Sequence, residues 1–156
     1  MNALELKVPP PVVALCLALL MWLVASAVPV APPFDLPIGL RASLAVALAV
    51  IGQGIGIAGI VSFRRARTTI NPMKPAAASA LVRSGVFRFT RNPMYLGLLL
   101  TLVGWAVWLW SPAALLLLPV FVLYIDRFQI GPEERVLTKL FGAEFAGYRT
   151  SVRKWL

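Results

Sequence analysis

The chain has 156 residues, 60% of them hydrophobic and 13% charged, with a mean hydropathy of +0.83. A water-soluble domain is closer to half apolar and a quarter charged, so a soluble globule is excluded and a membrane protein is indicated. Fifteen Lys and Arg against six Asp and Glu give a net charge of +9, but the excess is confined to a few polar segments. That favours the lipid bilayer with its anionic surface as a partner, and not nucleic acid. With no His and one Cys, the usual His/Cys metal sites, disulfides and His-dependent catalytic dyads cannot be built. No metal is expected, and any chemistry must use carboxylates, Arg, Asn, Tyr or a bound cofactor.

Residues 8–34, 42–63 and 92–125 carry no charge. Crossing a hydrocarbon core of about 30 Å takes about 20 residues at 1.5 Å each, so the first two stretches predict one membrane helix each, near 8–30 and 40–63. Ala25-Ser26-Ala27 resembles a signal-peptidase site. The leader lacks a clear basic excess, Glu5 offsetting Lys7, and a retained first helix is the favoured reading.

Within the second helix, Gly54-Ile55-Gly56-Ile57-Ala58-Gly59 has the letters of a dinucleotide fingerprint. That fingerprint needs a preceding strand and an acid about twenty residues on, and neither is available here. Gly52, Gly56 and Gly59 are read instead as small residues that let helices approach. Residues 64–91 follow as a basic segment with Arg64, Arg65, Arg67, Lys74, Arg83, Arg88 and Arg91 and an Ala/Pro-rich loop over 72–80.

The third apolar stretch is too long for one crossing. Trp110-Ser111-Pro112 interrupts it, and proline inside a helix removes a hydrogen bond and clashes with the preceding turn. This predicts a helical hairpin over 92–127 with arms near 93–109 and 113–125. The turn is uncharged while basic residues flank both ends of the hairpin, so the positive-inside rule puts residues 64–91 and both termini in the cytoplasm.

In the tail, 131–156, Gly131-Pro132-Glu133-Glu134 reads as a helix start, with proline and acids in the first turn. Val136, Leu137, Leu140 and Phe141, then Phe145, Tyr148, Val152 and Trp155, make an amphipathic segment lying at the membrane surface or against the bundle. The expected fold is an all-α polytopic membrane bundle in a single domain, with about four membrane helices plus this C-terminal helix.

Two constellations could carry chemistry. Arg91-Asn92-Pro93-Met94-Tyr95 opens the third stretch and can be read as an interfacial Arg, an N-cap and a first-turn proline. A helix N-terminus can also take a carboxylate. Glu133 and Glu134 can be first-turn acids, or they can bind a cationic ligand such as an amino-acid ammonium, since the hairpin returns them to the same membrane face as Arg91.

Ser84-Gly85-Val86-Phe87, Arg91 to Gly97, Glu133-Glu134-Arg135-Val136-Leu137, Phe141-Gly142-Ala143-Glu144-Phe145, Tyr148 and Val152-Arg153-Lys154-Trp155, in this order and spacing, resemble the C-terminal half of the isoprenylcysteine carboxyl methyltransferases. More distantly they resemble the phospholipid N-methyltransferases. The resemblance implies a membrane-embedded enzyme using S-adenosylmethionine. It places the cofactor among Ser79, Ala80, Leu81, Val82, Phe87, Arg91, Asn92, Pro93, Met94, Tyr95 and Glu133. Asn92 stands where that family has His. The family's substrate-binding Arg falls nearest Gln129, which leaves Arg127, two residues earlier, as the substrate candidate; Glu134 is the candidate base. The implied acceptor is lipophilic, a carboxylate of an isoprenylcysteine-like, prenylated or other lipid-soluble molecule, in a bacterial inner membrane. The alternatives are a lipid amine and, from another class, a non-catalytic membrane protein or small transporter.

Overall fold

The computed structural model describes residues 5–28, 30, 32, 34–69, 73 and 75–156; Pro72 and Lys74 of the basic segment lie outside them. The chain forms α1 (Pro10–Ala27), α2 (Ile38–Arg65), α3 (Pro93–Leu109), α4 (Pro112–Leu115), α5 (Leu118–Ile125), a π-helical turn (Asp126–Ile130) and α6 (Gly131–Ser151), with short 3-10 turns at Pro75–Ala77 and Gly85–Arg88. No strand occurs among the described residues. Pro10–Ala27, Ile38–Arg65 and Pro112–Ser151 are long and apolar enough to cross a membrane. The 17-residue α3 reaches roughly 26 Å, the short end of a spanning helix.

Helix α3 is the centre of the bundle, with α2 on one side and α1 and α5 on the other. In lipid, apolar side chains gain nothing by leaving water, so helices associate through close packing. The α2–α3 face achieves it with glycine. A Cβ on Gly52 would stand 2.5 Å from the Gly97 carbonyl oxygen, and one on Gly104 would stand 2.7 Å from that of Ala45. Gly59 sits against Pro93 and Met94, which anchors the start of α3. Gly56 takes part through its backbone: its own Cβ direction is open, but its N lies 3.2 Å from where a Cβ on Gly97 would stand.

On the opposite face, Val13, Leu17 and Met21 of α1 interlock with Tyr95, Leu102 and Ala106 of α3 and with Phe121 and Ile125 of α5. Trp105 donates its indole N–H to the Ala18 carbonyl at 2.9 Å, satisfying a polar group that the bilayer could not.

The hairpin turn forms where the sequence interrupts the helix. Trp110 takes a left-handed conformation (φ 49°, ψ 41°) that ends α3, and Ser111 Oγ accepts from the Ala114 N–H to cap the next helix. The second arm departs from expectation in two ways. It is broken into α4 and α5, and it does not stop near residue 125 but continues through the π-helical turn into α6.

Gly131 is therefore not a helix start, since Ile130 before it is already helical (φ −62°, ψ −47°). Pro132 explains the irregularity. It has no N–H for the Phe128 carbonyl, which accepts from Leu6 N–H at 3.0 Å instead, while Gly131 N–H reaches back to the Asp126 carbonyl. With no free helix end here, the macrodipole reading of Glu133 and Glu134 loses its basis.

The C-terminal helix docks against the bundle through Pro132, Phe145 and Tyr148. It bends at Gly142 (φ 48°, ψ −121°), a backbone conformation open only to glycine, and the bend lets residues on both sides of it reach one cavity.

Candidate cofactor site

A half-open cavity lies at the end of the bundle where α2 finishes and α3 begins. It is lined by Ala80, Leu81, Val82, Phe87, Arg91, Asn92, Pro93, Met94, Tyr95, Glu133 and Glu134, together with Phe63, Thr69, Pro75, Ala78, Leu137, Phe145 and Tyr148. Two residues singled out from the sequence stand outside this lining, Ser79 and Arg127.

Ser79 acts one step back. Its N–H donates to Thr68 Oγ1 at 3.0 Å and its hydroxyl to the Arg67 carbonyl at 3.3 Å, which fastens the 80–82 strip to the end of α2. Arg127 is 55% exposed and pairs with Glu5 at 3.4 Å.

The adjacent acids have opposite surroundings. Glu134 is held by Arg91 Nη2 at 2.8 Å and Arg149 Nε at 3.6 Å. Glu133, partly buried, accepts a 2.5 Å hydrogen bond from the Tyr95 hydroxyl and makes no ion pair with any described residue. A carboxylate removed from water without a countercharge is costly, so this arrangement favours a cationic ligand.

Arg91 is almost fully enclosed. Besides Glu134, its Nη1 donates to the Arg149 carbonyl at 3.1 Å and to that of Val152, and its buried Nε has no acceptor. Asn92 occupies the N-cap of α3, but its side chain caps nothing there. Its amide donates instead to the Lys154 carbonyl at 2.9 Å, leaving the first-turn amides of α3 beside the cavity without the usual side-chain cap.

Most of the remaining wall is apolar. Phe87 packs edge-on against Phe63 at 5.1 Å, and the Tyr148 hydroxyl donates to the Phe87 carbonyl at 2.8 Å.

The cavity thus offers a carboxylate without an ion pair among the described residues, helix amides without a side-chain cap and flat apolar surfaces, beside the enclosed Arg91 guanidinium. These groups fit S-adenosylmethionine, whose amino-acid end carries both charges, whose sulfonium is cationic and whose adenine is flat. Leu137 could have been found from the sequence, one helical turn after Glu133. Phe145 and Tyr148 belonged to the quoted pattern without an assigned place, while Phe63, Thr69, Pro75 and Ala78 arrive by chain reversal and leave no local signal.

The phospholipid methyltransferase family matches residues 40–144, and the chain belongs to that family of methyltransferases. Protein-S-isoprenylcysteine O-methyltransferase A of Arabidopsis thaliana is 31% identical over 103 residues, 66% of this chain and 52% of that protein. The Saccharomyces cerevisiae protein-S-isoprenylcysteine O-methyltransferase is 33% identical over 82 residues, 51% of this chain and 33% of that protein. An uncharacterised Haemophilus influenzae protein is 46% identical over 63 residues, 40% of this chain and all of its own length. The chain therefore spans about half of the plant relative and a third of the yeast one. No solved structure matches significantly.

Proposed function

We propose that this protein binds S-adenosylmethionine in the cavity between Arg91–Tyr95 and Glu133 and transfers its methyl group to a lipophilic acceptor. The observation that carries this reading is the Glu133 carboxylate, bonded to Tyr95 and lacking a cation among the described residues. Glu133 would hold the ammonium of the cofactor, the first-turn amides of α3 beside the Arg91 guanidinium its carboxylate, and Phe87, Val82 and Phe145 its adenine.

Bound there, the cofactor supplies a methyl on a sulfonium. Held by Glu133 and the first-turn amides of α3, it would serve as an electrophilic methyl donor to the acceptor oxygen and would leave as a thioether. The residues around it contribute by holding the reactants in line and excluding water.

A carboxylate acceptor is ionised at neutral pH and needs no base. An amine must first lose a proton, and Glu134, the candidate base, is occupied by Arg91 and Arg149. This favours carboxyl O-methylation, as on an isoprenylcysteine-like or other lipid acid, over N-methylation. A lipophilic acceptor is further supported by an apolar groove of about 830 Å³ between α1, α2 and α3, lined by Ala14, Ala18, Ala45, Ala49, Leu98 and Trp105. Along α3, Leu98 lies one helical turn beyond Met94 of the cavity. The basic residues of 64–91 and of the tail support a cytoplasmic placement of the cavity and of both termini, in a bacterial inner membrane.

The test uses S-adenosylmethionine with a labelled methyl group and membranes of the expressing cell. Label entering the lipid fraction and released by mild base as methanol identifies a methyl ester; base-stable label in lipid identifies N-methylation; no protein-dependent transfer contradicts the proposal.

A further inference from the structure

The π-helical turn Asp126–Ile130 is held by both ends of the chain. From the N-terminal side, the Glu5 side chain, 4% exposed, pairs with Arg127 at 3.4 Å and Arg135 at 2.7 Å. Leu6 N–H occupies the Phe128 carbonyl at 3.0 Å. Gln129, fully buried, donates to the Val8 carbonyl at 2.7 Å. From the C-terminal side, Asp126 accepts from Trp155 Nε1 at 3.2 Å and Lys154 Nζ at 3.3 Å.

The same C-terminal residues grip the facing wall of the cavity. Arg91 N–H donates to the Arg153 carbonyl at 3.0 Å, and Thr90 Oγ1 and the Asn92 amide both donate to the Lys154 carbonyl. The one residue of the turn without such an external bond, Ile130, is buried in the core.

A π-helical turn holds an extra residue, costs stability by itself and recurs at functional sites. Each residue of an α-helix turns the chain by about 100°, so relaxing this turn to α geometry would rotate everything after it by about that angle. Glu133 follows three residues later, and such a rotation would take its carboxylate off Tyr95.

We propose that the two chain ends act as a clamp on this turn, which sets the rotation of α6 and aims Glu133 into the cavity. Glu5, Asp126, Gln129 and Trp155 are then positioning residues for cofactor binding, a role that rests on the reading of Glu133 given above.

Calorimetric titration of the detergent-purified full chain with S-adenosylmethionine tests this. Trp155→Phe keeps an aromatic ring, though a smaller one, and loses the donor, Asp126→Leu loses the acceptor, and Asp126→Asn keeps an oxygen for the indole. The first two should weaken binding roughly three- to tenfold and the third much less. In a Glu133→Gln background the extra loss should vanish, because the clamp acts through Glu133. A merely structural contribution would lower the melting temperature and add to the Glu133→Gln effect.

Hydrogen exchange without cofactor gives a second readout. In Trp155→Phe, amides of residues 128–134 should exchange roughly tenfold faster while those of α3 stay unchanged. Parent-like affinity in the clamp variants, full additivity with Glu133→Gln, or unchanged exchange overturns the clamp. Parent-like affinity in Glu133→Gln alone overturns instead the cofactor reading beneath it.

Discussion

The Tyr95 hydroxyl donates to Glu133 across 2.5 Å, and this bond joins the first turn of α3 to α6, elements almost forty residues apart. One position further along the same helix, Glu134 is neutralised by Arg91 and Arg149. Consecutive carboxylates on a helix point about 100° apart, and here that separation divides two tasks. Glu134 ties the cavity wall together, while Glu133, bonded to Tyr95 and without an ion pair among the described residues, is the carboxylate proposed to meet a ligand.

The Arg91–Glu134 pair is enclosed, with side chains 10% and 16% exposed. Breaking a buried pair strands the remaining charge, so Glu134→Ala should destabilise the protein by about 3 kcal/mol. Thermal melting in detergent checks this. Arg83→Ala removes an exposed partner of Glu144, with side chains 53% and 49% exposed, and should melt close to the parent.

The α2–α3 contact predicts a contrast between two glycines. Gly52→Leu forces a side chain onto the Gly97 carbonyl and should cost about 1–3 kcal/mol or more. Gly56→Leu points into open space and should be nearly neutral. Neither variant should show stabilisation by NADPH, because these glycines pack helices; a saturable NADPH-dependent rise in melting temperature would contradict both the packing role and the methyltransferase reading.

The proposed orientation is checked with single cysteines in a Cys16→Ala background. A Cys at the exposed Asp35, in the loop whose Phe34 carbonyl accepts from the Trp110 indole at the hairpin turn, should react with impermeant maleimide from the periplasmic side only, and a Cys at Ser79 from the cytoplasmic side only. Cytoplasmic labelling at Asp35 would reverse the topology.

Much of this arrangement was legible in the sequence because bilayer thickness and proline chemistry leave few options. Charge-free stretches marked α1 and α2, and Trp110-Ser111-Pro112 marked the end of α3, which runs Pro93–Leu109 as its spacing suggests. The segment around Pro132 misled for a physical reason. Proline and two acids look like a helix start, and only the distant Leu6 N–H, by taking the orphaned Phe128 carbonyl, lets the helix run on. Residue type likewise marked Asn92 as a cap, but a carbonyl some sixty positions away claims its amide. Local chemistry names what a residue can do; long-range partners decide which of those things it does.

Glu133 is proposed to be a ligand-binding carboxylate. Calorimetric titration of detergent-purified protein with S-adenosylmethionine tests it directly. A charge-assisted hydrogen bond in a partly desolvated site contributes roughly 1.5–3 kcal/mol, so the parent should bind saturably and Glu133→Gln about ten- to a hundredfold more weakly. Tyr95→Phe should fall between them, having lost the group that orients the carboxylate. If Glu133→Gln binds the cofactor as tightly as the parent and differs only in melting temperature, Glu133 is a structural residue and the proposed cofactor cavity is wrong.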